Sequence, residues 1–238
     1  MEPTEFRTGV IKAIDCYKEA WEIMKPQYWL LFAVVLVGAM IGGFTLYILF
    51  GAMACGMYYC FLRVIDGREF KFEDLFKGFR YWLPGLIVGF FIFVPLIIIY
   101  GIIYVPTLVT IARNPNIKPD QLMTVMGTSF IIDIIFSIGM VCLHTLIMFA
   151  FPLIVDRNLS GVKAMTTSAR AVWANLSGVA GLFGVGFLVS LVSMMACGVG
   201  IYFSIPLVFG ATALAYRKIF PALELSLDSP APEFYRTT

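Results

Sequence analysis

Residues Trp82 to Ala112 read WLPGLIVGFFIFVPLIIIYGIIYVPTLVTIA, with no charged side chain among them. A helix crosses the roughly 30 Å hydrocarbon core of a bilayer with about 20 apolar residues, so this stretch spans one with residues to spare. Pro84 suits the start of a helix, where a missing N–H costs nothing. Pro95 falls inside and is expected to kink it. The stretch reads as one membrane span over 83–112.

The rest of the chain has the same character. Of its 238 residues, 60% are hydrophobic and 13% charged, against about 45–50% and 25% in a soluble domain. So little charge cannot coat a globule, and lipid is the natural solvent for the excess. A net charge of +2 is too small to point to a nucleic-acid partner. Cys16, Cys55, Cys60, Cys142 and Cys197 form no CxxC pair, and the chain has one histidine. Neither a metal site nor a cofactor is expected, and the thiols read as small apolar side chains.

Outward from 83–112 the apolar runs resolve into further spans. Tyr28 to Ile65 is too long for one helix and carries Gly42-Gly43 near its middle. It reads as a hairpin of helices 28–44 and 46–64. Phe130 to Val155 supplies a span over 130–155. Leu176 to Tyr216 supplies a second hairpin, 176–196 and 199–216, broken near Cys197-Gly198-Val199-Gly200. The expected fold is an all-α integral membrane protein with six transmembrane helices in three hairpins, a single domain over residues 1–220. The tail 221–238, with Pro221, Pro230 and Pro232, is expected to be extended or disordered. The first 27 residues mix acids and bases on a helical pattern, so no cleavable signal peptide is expected.

The basic residues orient these spans. With both termini cytoplasmic, Arg7, Lys12, Lys18 and Lys25 lie inside, as do Arg63, Arg68, Lys71, Lys77 and Arg80. Arg157, Lys163, Arg170, Arg217, Lys218 and Arg236 join them. Of the 17 Lys and Arg, only Arg113 and Lys118 are left outside, as the positive-inside rule asks of a multi-pass protein of the cytoplasmic membrane. A five-span plan would divide these clusters between the two faces.

Three polar stretches carry a helical pattern of their own. Residues 4–25 place Phe6, Val10, Ile14, Tyr17, Trp21 and Met24 on one stripe, with Thr4 as a cap and Pro26 as a stop. Residues 71–82 do the same with Phe72, Leu75, Phe76, Phe79 and Trp82, and residues 158–173 with Leu159, Val162, Met165, Ala169 and Trp173. Each reads as an amphipathic helix at the cytoplasmic interface ahead of its hairpin. Trp21, Trp82 and Trp173 would be the interfacial anchors. Gly9-Val10 precedes Trp21 by the interval at which Gly161-Val162 precedes Trp173, and Phe50-Gly51-Ala52 is echoed by Phe209-Gly210-Ala211. Three repeated units, the middle one matching in outline, are expected.

Phe151-Pro152-Leu153-Ile154-Val155-Asp156, then Gly161, Ala164 and Ser168, and the ending Pro206 … Ala215-Tyr216-Arg217 form a diffuse pattern. Asp66-Gly67-Arg68 and Phe72-Glu73-Asp74-Leu75-Phe76-Lys77-Gly78-Phe79 add to it. Together they resemble a broad family of uncharacterised bacterial integral membrane proteins. That family includes the membrane domain fused to some glycerophosphoryl diester phosphodiesterases. The resemblance implies a six-helix membrane domain whose relatives keep their hydrolase chemistry in a separate barrel, so it argues against an enzyme here.

Within the spans, Asp133 and His144 are the ionisable candidates. Eleven residues apart, they fall within about 20° of one helix face and roughly 16 Å apart along it. Ser137 lies near that line and Thr145 beside it. One reading is a proton or ion path; the other is a neutral His144 bonded to a neighbouring helix, with Asp133 reaching the outer interface. Asp156 is expected to cap the following helix or to pair with a basic residue. Tyr100, Tyr104 and Tyr202 are expected at helix interfaces or the headgroup belt. Gly38 and Gly42, and Ala180 and Gly184, have the four-residue spacing of close helix packing, within the monomer or in a homo-oligomer.

The function expected is non-catalytic. The protein would act by contact, as an accessory or scaffolding subunit beside other membrane protein subunits, or by organising the lipid bilayer. The alternative is a small-solute or ion permease with its polar path along the fourth span.

Overall fold

The computed structural model describes residues 4–45, 47–114, 118–195 and 198–222. Among these the regular structure is all helical, with no strand. Helices fit lipid because each satisfies its own backbone hydrogen bonds. Five helical stretches are long and apolar enough to cross a membrane: Ala13–Phe44, Phe72–Arg113, Pro119–Arg157, Leu176–Met194 and Val199–Ile219. Phe50–Ile65 is apolar but shorter. The chain has the architecture of a membrane-embedded protein. The expected tail lies, beyond residue 222, outside the described residues.

In chain order the helices are α1 (Ala13–Met24), α2 (Tyr28–Phe44), α3 (Phe50–Ile65), α4 (Trp82–Arg113), α5 (Pro119–Leu146), α6 (Ala150–Arg157), α7 (Gly161–Ala174), α8 (Leu176–Met194) and α9 (Val199–Ile219). Two 3-10 helices, Lys25–Gln27 and Phe72–Tyr81, lead into α2 and α4. The chain divides into two compact units, Met1–Gly89 with Leu146–Thr238, and Phe90–Thr145.

Several boundaries differ from those expected, each for a local reason. The first helix starts at Ala13, not near Thr4. The backbone of residues 4–12 bonds elsewhere: Arg7 N–H donates to the Ile219 carbonyl at 2.9 Å, and Gly9 N–H donates to Asn175 Oδ1 at 2.8 Å. Asn175 Nδ2 donates in turn to the Arg7 carbonyl at 3.1 Å. Gly9, at φ 70°, allows the left-handed bend this strap needs.

The helix expected from residue 46 begins at Phe50. Thr45 organises the turn before it, donating its hydroxyl to the Ile41 carbonyl at 2.8 Å and accepting from Leu49 N–H at 3.3 Å. One side chain thus ends α2 and starts α3.

The helix expected over 130–155 begins earlier, at Pro119, and is interrupted at residues 147–149. Pro152 explains the break. It has no N–H for the Met148 carbonyl and its ring would clash there, so the chain restarts with Pro152 in the first turn of α6. Ser168 closes the gap: its hydroxyl donates to the Leu146 carbonyl at 2.7 Å and accepts from Phe149 N–H at 3.1 Å.

Residues 72–81 form a 3-10 helix, not an α-helix, and the sequence has a matching period of three. Leu75, Gly78 and Tyr81 are buried, while Phe76, Phe79 and Trp82 are exposed. Side chains three apart eclipse on this helix, so each row forms a face.

In the first unit α3 is the core: every residue from Gly51 to Leu62 is buried. It packs on the 3-10 helix, α2, α6 and α9, while α1 packs on α9 and α6 on α7. The closest contacts are backbone to backbone. A Cβ on Gly56 would lie 1.9 Å from the Leu75 carbonyl oxygen, one on Gly78 2.0 Å from that of Ala52, and one on Gly51 2.1 Å from that of Gly85. Only glycine permits such an approach.

In the second unit no residue of α5 is buried. Ile103 of α4 is buried, and Thr107 and Ser129 join α4 to α5 by a hydroxyl–hydroxyl bond of 2.7 Å.

Candidate functional site

The polar residues proposed for a path along α5 do not share one cavity. Asp133 and Ser137, with Tyr100 of α4, border a space of about 30 Å³, room for one or two waters. Tyr104, stacked on Tyr100 at 5.4 Å, interacts with Asp133. His144 and Thr145 lie outside that lining. His144 Nε2 is buried and has no hydrogen-bond partner among the described residues, so the expected bond to a neighbouring helix is not made there. The Thr145 hydroxyl donates to its own helix at Val141, 2.7 Å away.

A larger cleft of about 380 Å³ between α4 and α5 is lined by Thr107, Thr110, Thr124, Thr128 and Ser129 among apolar side chains. Each of these hydroxyls bonds a carbonyl four residues back on its own helix. Such back-bonding uses the hydroxyl proton locally. The cleft is therefore largely apolar and offers few donors to a solute.

The ionic cluster of the first unit was missed by treating its members singly. The C-terminal ends of α3, α6 and α9 converge on Asp66, Asp156, Arg157 and Arg217. Arg217 forms a fork on Asp66, with bonds of 2.8 Å and 2.7 Å. Its Nη1 also lies 2.8 Å from Asp156 Oδ1, as an ion contact rather than an aligned hydrogen bond. Asp156 Oδ2 accepts from the Tyr216 hydroxyl at 2.7 Å and from Arg157 Nε at 3.2 Å. Arg157 Nη2 donates to the Pro221 carbonyl at 2.7 Å. Two carboxylates face two guanidinium groups, all largely buried.

Buried ions must be paired to persist. The guanidinium groups also sit where the helix dipoles favour positive charge. Of the two roles expected of Asp156, charge pairing is the one made. The signal in sequence was that two of the three apolar runs end on an acid, Asp66 and Asp156, and the third on a base, Arg217.

A second polar cluster surrounds Tyr59. Its hydroxyl accepts from Arg63 Nη1 and from Lys77 Nζ, both at 3.1 Å. Lys77 also pairs with Asp74 at 2.9 Å, and Arg63 Nε donates to the Glu69 carbonyl at 2.9 Å. Arg63, Lys77, Lys71, Asp74, Glu69 and Phe70 line a cavity of about 470 Å³.

No family model, curated protein or solved structure matches this chain.

The three tryptophans named as anchors, Trp21, Trp82 and Trp173, are all exposed, Trp173 the most at 72%. The packing residues divide. A Cβ on Gly38 would meet Met57 at 3.1 Å, and one on Gly42 would meet Phe50 at 3.3 Å. Ala180 and Gly184 are exposed, and a Cβ on Gly184 would meet nothing within 4 Å. On α8 the contacting face is instead Gly178, Val179, Leu182 and Gly186. It is offset because α8 packs on α9 and α1, with Gly178 against Ile11 and Gly186 against the Tyr17 hydroxyl.

Proposed function

We propose that the chain is a protein of the cytoplasmic membrane that crosses the bilayer six times, in three hairpins, with both termini cytoplasmic. It works by contact, as an accessory or scaffolding subunit of a membrane complex or as an organiser of lipid. The observation that carries this reading is the surface of α5. None of its residues is buried within the chain, and Phe130, Ile131, Ile135 and Ile138 stand open. A surface of this kind requires lipid or another apolar protein face against it.

The six-span count is supported by the order of elements. A short helix with a mixed surface, a span and a return helix occur three times: α1, α2, α3; then the 3-10 helix, α4, α5 with α6; then α7, α8, α9. Each return helix packs on the short helix of the next set, α3 on the 3-10 helix and α6 on α7, and α9 closes on α1. The repeat extends to single contacts. Gly51 meets Gly85, three residues after Trp82, and Gly210 meets Met24, three residues after Trp21. The shorter α3 is then the return helix of the first hairpin, lengthened by the apolar Ile48 and Leu49. The family resemblance points to the same plan, a membrane domain without a reaction of its own.

Native mass spectrometry of the protein extracted gently from its own membrane tests this reading. A stoichiometric protein partner, or a retained shell of lipid, is the expected result. A bare monomer that carries a small solute would count against it.

The permease reading draws on one observation, the partnerless buried Nε2 of His144. If α5 carries a proton, His144→Ala abolishes pH-coupled flux in proteoliposomes. Unchanged flux removes that reading.

A further inference from the structure

We infer that the cavity beside Tyr59 is a binding site for the phosphate of an anionic phospholipid headgroup. The inference rests on the reading that Phe72–Tyr81 lies at the cytoplasmic face of a bilayer.

Three observations converge on it. The Tyr59 side chain is buried, and its hydroxyl oxygen accepts from two cations at once, Arg63 and Lys77, each at 3.1 Å. Both also stand over the Tyr59 ring, Lys77 at 5.0 Å and Arg63 at 5.8 Å from its centre. One hydroxyl oxygen thereby draws two of the cations that line the cavity. The charged side chains lining it are Arg63, Lys71 and Lys77 against Glu69 and Asp74, an excess of positive charge. An anion there meets the N–H donors of Arg63 and Lys77, held in place by the Tyr59 hydroxyl, and competes for Lys77 with Asp74, its partner at 2.9 Å.

The 3-10 helix then selects a lipid over a free ion. Its period of three produces one row of charge, Lys71, Asp74, Lys77 and Arg80. The adjacent row begins with Glu73 and continues with Phe76, Phe79 and Trp82, exposed, with the Phe76 and Phe79 rings stacked at 6.5 Å. A phosphate held by the charged row leaves the aromatic row free to lie against the lipid's glycerol and upper acyl carbons, the depth at which aromatic side chains are favoured. A small inorganic anion would use the first row and leave the second without purpose.

The test uses the full chain in nanodiscs of neutral phosphatidylcholine, with phosphatidylglycerol added and retained lipid counted by native mass spectrometry. Wild type should hold one phosphatidylglycerol in preference to phosphatidylcholine. Each cation near an anionic surface is worth about 1 kcal/mol, so Arg63→Gln with Lys77→Gln should lower that preference on the order of tenfold or more. Lys163→Gln, remote in sequence, should leave it unchanged. Should the double variant lose its melting transition, Lys77→Gln alone, with an exposed side chain, should give a smaller loss in the same direction.

Equal preference in wild type and the cavity variants overturns the site. Displacement of the lipid by millimolar inorganic phosphate, with the same dependence on Arg63 and Lys77, assigns the cavity to a free anion and overturns the lipid assignment. Failure of the chain to enter any bilayer defeats the underlying membrane reading, whereas entry without headgroup preference defeats only this inference.

Discussion

The unit formed by Met1–Gly89 with Leu146–Thr238 and the unit Phe90–Thr145 are both built from apolar helices, yet they use them in opposite ways. In the first, polar groups reach between elements: Ser168 bridges the α5–α6 break, Asn175 straps residues 7–9, and Arg217 ties the ends of α3 and α6. In the second, most hydroxyls turn back onto their own helix, and side chains join α4 to α5 at Thr107–Ser129 and at Tyr104–Asp133. Hydrophobicity cannot choose between helix partners in lipid, because acyl chains are as apolar as leucine. What fixes a helix to its neighbours is the small number of polar bonds and glycine contacts. The first unit has them in number and the second has few.

The largest loss of stability then follows removal of Asp156. Asp156→Ala leaves Arg157 and Arg217 with Asp66 as the cluster's one remaining carboxylate, and breaking one partner of such a buried cluster costs about 3–5 kcal/mol. Detergent-to-denaturant unfolding of the purified protein measures it. A cost below about 1 kcal/mol would show that water reaches the cluster and screens it as it screens surface pairs.

Gly78→Ala comes next. Its new Cβ meets the Ala52 carbonyl oxygen at 2.0 Å and Gly56 N at 2.5 Å, and backbone cannot step aside as a side chain can. Overpacking of this kind costs toward 3 kcal/mol, read as a lower melting temperature. Ser168→Ala follows at about 1–2 kcal/mol, since it strands the buried Phe149 N–H and the Leu146 carbonyl together.

Much of the fold was legible in sequence because composition and periodicity are the signals a bilayer imposes. The apolar runs marked α2, α4, α8 and α9, and the stripe from Phe72 to Trp82 marked a surface element. The stripe's helix type was missed because steps of three and four were read together, although 75, 78, 81 and 76, 79, 82 step by three alone. The strap at residues 7–9 was illegible because its partner, Asn175, lies far along the chain, and no local pattern announces a long-range bond. The α5–α6 break was legible in principle from Pro152, whose clash falls one turn earlier than the proline itself. For the candidate site, Asp133 and Ser137 were placed on one line by spacing and do share a cavity. Spacing along one helix said nothing of what stands opposite, so it brought in His144 and Thr145, which stand outside that cavity. It also missed Asp66 and Arg217, which meet Asp156 only through tertiary packing.

The smallest expected effect is the one that separates the two coverings open to α5. Gly139 is exposed, and a Cβ there would meet nothing within 4 Å. Gly139→Leu should leave the isolated chain unchanged, or stabilise it by about 0.5–1 kcal/mol as glycine's extra freedom is removed from the unfolded state. In the native membrane the two coverings diverge. Lipid is fluid and yields to an isobutyl group, so a lipid-facing Gly139 tolerates leucine with every co-purifying component retained. A partner helix packed on this face uses the missing side chain for close approach, so leucine would expel it while the chain's own melting temperature stays put. That combination, an unaltered fold with a lost partner, would mark α5 as the docking helix, because the substitution disturbs nothing else in the molecule.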